Sequence, residues 1–155
     1  MYKRQGLQWQ KFRVILATIH RRENWDQLSD IGQSFLTILD KFPDVALLLP
    51  LHRNPTVREP LRAILGHHQR AFLIEPLDYG QLVGAMQNCY LVMTDSGGLQ
   101  EEAPSLGKPV LVLRETTERP EAINEGTAKL VGTSLDKIVS ESVILLENKK
   151  AYNCK

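Results

Sequence analysis

Cysteine is scarce in this sequence: among 155 residues only Cys89, in an apolar stretch, and Cys154, near the end, are cysteine. Two such residues build neither a disulfide framework nor a zinc site, so a reducing cytoplasm is the expected compartment. Long apolar runs are lacking as well. No stretch approaches the ~18 apolar residues that a membrane helix needs. The polar start, Met1 to Gln10, has none of the apolar core of a signal peptide. Charge of one sign is missing too, since 19 Lys and Arg stand against 18 Asp and Glu. That balance leaves no broad field for nucleic acid or an anionic membrane surface, so neither is an expected partner. An anionic ligand has to be held by a local site.

What is present is alternation. Short apolar runs at Val14–Ile19, Val45–Leu49, Ala71–Ile74, Tyr90–Thr94, Pro109–Leu113 and Ala128–Val131 are apolar on both parities, as parallel strands covered on both faces must be. Helical stripes fall between them. After Asn24 one runs through Leu28, Ile31, Phe35, Ile38, Leu39 and Phe42. Asp78 with Gln81 reads as a capping box, with Leu77 and Leu82 placed for a hydrophobic staple. Thr133 with Asp136 predicts the start of a last helix with its stripe at Leu135, Ile138, Val139, Ser142 and Leu146. Pro60 is expected to interrupt the segment after Asn54, and Gly66 to end it. The pattern predicts one α/β domain, a doubly wound parallel sheet with helices on both faces.

Such sheets bind ligands at the carboxyl ends of their strands, and the unusual polar residues lie in those loops. Asp95-Ser96-Gly97-Gly98 follows a strand and opens a helix. Two glycines let the backbone approach a ligand closely, and the helix start aims free N–H groups at the turn, which suits phosphate. Glu102, about one turn beyond Gly98, is placed to accept ribose hydroxyls. A plain strand-to-helix turn explains the same four residues equally well. His20-Arg21-Arg22-Glu23-Asn24 follows the first strand. There a histidine can assist a departing group near neutral pH, or the loop is merely a solvated basic one. His52 and Arg53 repeat the arrangement after the second strand. His67 and His68 have no Cys or acid at ligand spacing, so they read as surface residues and no metal is expected. Arg114 to Glu121 carries Thr116, Thr117 and Arg119, and suits either a phosphate or open solvent; Pro120 predicts a helix start there.

Together these loops resemble the carboxyl-terminal domain of non-hydrolysing UDP-N-acetylglucosamine 2-epimerases. The resemblance is carried by His20-Arg21-Arg22-Glu23-Asn24, by Pro50-Leu51-His52-Arg53-Asn54-Pro55, by Thr94 through Val110, and by Thr116-Thr117-Glu118-Arg119-Pro120-Glu121. It implies a Rossmann-like half of a GT-B fold. It also implies inversion at carbon 2 of UDP-N-acetylglucosamine to give UDP-N-acetylmannosamine, by elimination and re-addition of UDP, with no cofactor. By motif position His20 is the catalytic histidine. Ser96 and Gly97 hold the diphosphate, Gly98 opens the helix, Glu102 holds the ribose and Arg119 faces the phosphates. Arg21 and His52 fall where bacterial members bind a second, regulatory UDP-N-acetylglucosamine. The resemblance further implies a homodimer and a role in cell-envelope polysaccharide synthesis.

Residues 1–11 are expected to form a lead, partly extraneous, ahead of a UDP-binding domain at 12–155. The family's amino-terminal domain, with its proton-moving carboxylates, and its last helix find no counterpart here. The isolated chain is therefore expected to bind UDP weakly and not to turn over. Two other readings fit the same loops: a nucleotide-sugar-binding module without chemistry, and the donor half of a GT-B glycosyltransferase.

Overall fold

The computed structural model describes residues 11–114 and 128–147, with the backbone alone at residues 97, 98, 100 and 101. Six strands form one sheet in the order β3-β2-β1-β4-β5-β6, and every neighbouring pair is parallel. The strands are β1 (Arg13–Thr18), β2 (Val45–Pro50), β3 (Ala71–Ile74), β4 (Leu91–Thr94), β5 (Val110–Val112) and β6 (Ala128–Leu130). Each lies within one residue of its expected bounds. The four central strands are buried on both faces almost throughout, whereas the edge strands β3 and β6 are partly open. This is the doubly wound sheet expected from the sequence.

The pleat divides the apolar side chains into two cores. Ile15, Leu47, Leu91 and Leu111 face α1 (Leu28–Lys41), α2 (Pro55–Leu65) and α5 (Leu135–Glu147). Val14, Leu48, Val92 and Val110 face α3 (Tyr79–Asn88) and α4 (Gly97–Ser105). Every member of the expected α1 stripe is buried, from Leu28 to Phe42. The capping box at α3 is complete: Gln81 N–H donates to Asp78 Oδ1 at 2.8 Å, and Asp78 N–H donates to Gln81 Oε1 at 3.1 Å. Leu77 and Leu82 both pack on the second core.

Three expectations are corrected. The chain does not enter α1 directly after Asn24, but first makes a 3₁₀ turn over Arg22–Gln27. Pro60 does not interrupt α2, which runs through it. The Asn54 side chain caps that helix by accepting from Thr56 N–H at 2.9 Å, and Val57, Leu61 and Leu65 hold its apolar face in the core, which outweighs one lost backbone bond. The last helix begins at Leu135 rather than around Thr133, its first turn closing from Ile138 N–H to Ser134 O at 3.0 Å. Its buried residues are Ile138, Ser142, Leu145 and Leu146, so Leu145 belongs to the stripe and Leu135 only borders it.

Helix α4 ends in a Schellman motif. Gly107 takes a φ of +78°, its N–H donates to Pro104 O at 2.9 Å, and Lys108 N–H donates to Ala103 O at 3.0 Å. A side chain at position 107 would be strained in that left-handed conformation. The motif turns the chain sharply into β5. No helix among the described residues is long and apolar enough to cross a membrane.

Candidate functional site

In this strand order the topology reverses between β1 and β4, which places a crevice outside their carboxyl ends. The two strand ends are tied together there, Thr18 Oγ1 lying 2.6 Å from Thr94 Oγ1. His20 leaves the crevice's β1 side, and Asp95 and Ser96 leave its β4 side.

Ser96 is the residue before α4 and has extended backbone angles. Its N–H donates to Thr94 Oγ1 at 2.9 Å, and its hydroxyl makes no capping bond to the helix. The helix opens at Gly97, one residue earlier than the Gly98 expected. Its first N–H groups and the positive end of its dipole face the crevice. Glu102, half-buried on α4, accepts a hydrogen bond from the Tyr79 hydroxyl at 2.8 Å, and that bond raises the tyrosine's pKa. Arg119 and its whole Thr-Thr-Glu-Arg-Pro-Glu loop, Pro120 included, lie outside the described residues, as do residues 1–10 and Cys154.

His20 stands open to the crevice, yet its surroundings make charging costly. Desolvation lowers its pKa below 6.5, the Asp95 carboxylate opposes that shift, and the neighbouring His52 adds to it. No hydrogen bond among the described residues fixes its ring. His52 is half-buried, with Nδ1 accepting from Asn54 N–H at 3.1 Å. Its ring meets His20 edge-on at 6.3 Å between centroids and Trp25 at 5.8 Å. Arg21 follows His20 in the chain, and its Nε donates to Asp95 O at 3.4 Å. The structure thus brings His20, Arg21 and His52 into one corner. The other two histidines lie apart from it. His67 is exposed as expected, but His68 is half-buried, accepting from Arg70 N–H at 3.1 Å and pairing with Asp40 at 3.2 Å. Among the described residues no group of three metal-ligating side chains converges.

Because the fold favours neutral His20, stability tied to it is complete above pH 6.5 and falls as pH drops through its lowered pKa. Thermal melts are therefore expected to show a lower Tm at pH 5 than at pH 7.5. His20→Gln is expected to shrink that difference; an unchanged difference would place the acid sensitivity elsewhere.

Sequence reasoning missed what holds the histidine loop. Glu23 pairs with Arg114, a nearly buried side chain, at 2.8 Å. Asn24 is 4% exposed and donates through Nδ2 to both Asp95 Oδ2 at 3.0 Å and Leu113 O at 2.9 Å. The acid and amide of the motif therefore stitch the loop to the ends of β4 and β5. A cavity of about 290 Å³ opens beside His20, lined by Thr18, Leu51, His52, Pro76, Leu77 and Leu82 among others. Its walls are mostly apolar. The signal for it in the sequence is Pro76-Leu77, two apolar residues in a strand-end loop.

A parallel sheet of this order, with a histidine and a helix N-terminus on one crevice, defines a Rossmann-like α/β domain of the kind that forms half of a GT-B protein. At 16% identity, the carboxyl-terminal domain of a group 1 glycosyl transferase from Francisella tularensis shares this fold, with a TM-score of 0.73. The chain belongs to the UDP-N-acetylglucosamine 2-epimerase family, whose model matches residues 1–155. It is 50% identical to the UDP-N-acetylglucosamine 2-epimerase of Salmonella typhimurium over 141 residues, 90% of this chain and 38% of the relative. The Escherichia coli enzyme is 48% identical over the same span. Among solved structures, the Neisseria meningitidis UDP-GlcNAc 2-epimerase bound to UDP-GlcNAc superposes with a TM-score of 0.93 at 45% identity, covering 97% of this chain and 41% of that one. The Methanocaldococcus jannaschii enzyme in complex with UDP-GlcNAc and UDP gives 0.81 at 34% identity, covering 92% and 41%. The chain thus spans about two fifths of the length of these relatives.

Proposed function

We propose that this chain forms the UDP-binding half of a UDP-N-acetylglucosamine 2-epimerase that works by eliminating UDP and returning it after carbon 2 has changed configuration. The observation that carries this reading is the meeting of His20 with the α4 N-terminus across the β1–β4 crevice. Ser96, Gly97 and Gly98 then cradle the diphosphate, with Arg119 facing it, and Glu102 takes the ribose hydroxyls once Tyr79 yields its bond. The apolar cavity beside His20 suits the flat face of a base or sugar ring. Expelling UDP places negative charge on the leaving phosphate, where the helix dipole and nearby cations stabilise it. A bound diphosphate also opposes the desolvation of His20 and raises its pKa toward neutrality, so the ring can give a proton as UDP departs and take it back on return. The solved relatives bound to UDP-GlcNAc and UDP support this ligand class. Arg21 and His52 serve a second, regulatory copy of the nucleotide sugar. A cytoplasmic homodimer is the setting that this reading carries with it.

Calorimetric titration with UDP tests the division of labour. Glu102→Ala is expected to weaken binding about 10- to 100-fold, the worth of hydrogen bonds to a charged group. His20→Ala is expected to change it by no more than about threefold, since a proton-transfer group adds little to ground-state binding. A chain that melts cooperatively yet takes no UDP at millimolar concentration would overturn the reading.

A further inference from the structure

We propose that Asp95 is the positioning residue of this site, clamping the histidine loop to the phosphate turn so that His20 and the α4 N-terminus move as one body. The inference deepens the functional reading above and rests on its assignment of His20.

Asp95 is 0% exposed, and a buried carboxylate is costly unless donors surround it. Here three donors do. His20 N–H reaches both carboxylate oxygens, at 2.9 Å to Oδ1 and 3.0 Å to Oδ2. Arg21 N–H reaches Oδ2 at 2.9 Å, and Asn24 Nδ2 reaches the same oxygen at 3.0 Å. Two consecutive backbone amides converging on one anion form the concave arrangement that elsewhere binds phosphate. A side chain fills it here, so the loop's bend is set before any ligand arrives. Asp95 is also covalently joined to Ser96. One residue therefore fixes the distance between the proton-moving ring and the N–H groups that meet the diphosphate.

The geometry calls for two acceptors. An asparagine could still accept at the Oδ2 place from Arg21, Asn24 and His20, but its NH₂ at the Oδ1 place would face the His20 N–H as a second donor. The charge has a second effect, since it favours the protonated imidazole of His20. Among the described residues, the other charged or titratable groups beside that ring are His52 and Arg53 at the end of β2, with Arg21 next to it in the chain. Asp95 is the carboxylate of that set. It therefore offsets the desolvation that would otherwise leave His20 a poor acid.

The test is Asp95→Asn in this chain, read by NMR through the His20 ring titration and the backbone amide exchange of His20 and Arg21. The substitution puts an amide NH₂ opposite the His20 N–H, two donors face to face. Expected results are a folded chain, a His20 titration moved to lower pH, and His20 amide exchange faster by about tenfold or more. A merely structural contact would leave the ring titration where it was. An unmoved titration in a folded Asp95→Asn chain overturns the proposal. If that variant does not fold, the unsubstituted chain decides. His20 and Arg21 amides protected at least about tenfold relative to Arg22 support the clamp, and amides exchanging as freely as Arg22 overturn it. None of these readouts needs UDP, so a chain that fails to bind UDP refutes the functional reading and leaves the clamp to be judged separately.

Discussion

Asn24→Leu is expected to destabilise the domain by about 3 kcal/mol, a large share of the ~5–15 kcal/mol that holds a domain of this size folded. Leucine has nearly the shape of asparagine, so the effect isolates polarity. Its apolar end would remove one donor from the buried Asp95 carboxylate, worth about 1.5–3 kcal/mol, and would leave the Leu113 carbonyl to meet a methyl group. The 3₁₀ turn from Arg22 to Gln27 closes on the same residue, Asn24 N–H donating to Arg21 O at 3.1 Å. A Tm lower by roughly 10 °C in a circular-dichroism melt is the result expected. A fall worth less than about 1 kcal/mol would show that the loop is held by Glu23–Arg114 and the backbone bonds without this side chain.

Phe35→Ala has the other large effect, about 3–5 kcal/mol. Phe35 is 1% exposed and lies at the middle of α1, in the core that also holds Ile15, Val57 and Ile138. Truncation leaves a void between the sheet and two helices that backbone shifts cannot close, because α2 and α5 are each anchored on their own stripes. Urea denaturation is the measurement, with Phe35→Leu as the control. The leucine variant should recover most of the loss, as near-conservative apolar swaps do. Equal losses in both would mean that ring contacts, not volume, set the cost.

The legible parts of this protein are those that a local rule covers. Strand bounds could be read from the chain because β1, β2, β4 and β5 are buried on both faces, so each is a short run of uninterrupted apolar residues. The α3 start could be read because its capping box lies within four residues. The run through Pro60 could not, since it depends on Val57, Leu61 and Leu65 finding a core supplied by other elements. The roles of Glu23 and Asn24 were hidden for a related reason. Their partners Arg114, Asp95 and Leu113 lie 71 to 91 residues away, and nothing in the spacing of a loop announces a contact at that range. Asp95 itself read as the first residue of a phosphate turn. Its carboxylate points instead into the histidine loop.

The sequence by itself determined the alternation of strands and helices, the single parallel sheet, the family, and the loops in which to look for a ligand. These follow from short uninterrupted apolar runs, from the 3.6-residue period of the helical stripes, and from short motifs whose residues act together locally. Only the tertiary structure decided that β1 and β4 are neighbours, and hence that the histidine loop and the phosphate turn share one crevice. Strand order is a property of packing, since parallel strands joined by crossovers can pair with several partners while their local patterns stay the same. The same packing aims the Asp95 carboxylate at two backbone amides, places Tyr79 on Glu102, and opens the cavity beside His20. Burial makes the Asp95 contacts consequential, because inside the sheet's edge a polar group without a partner costs more than the fold can spare.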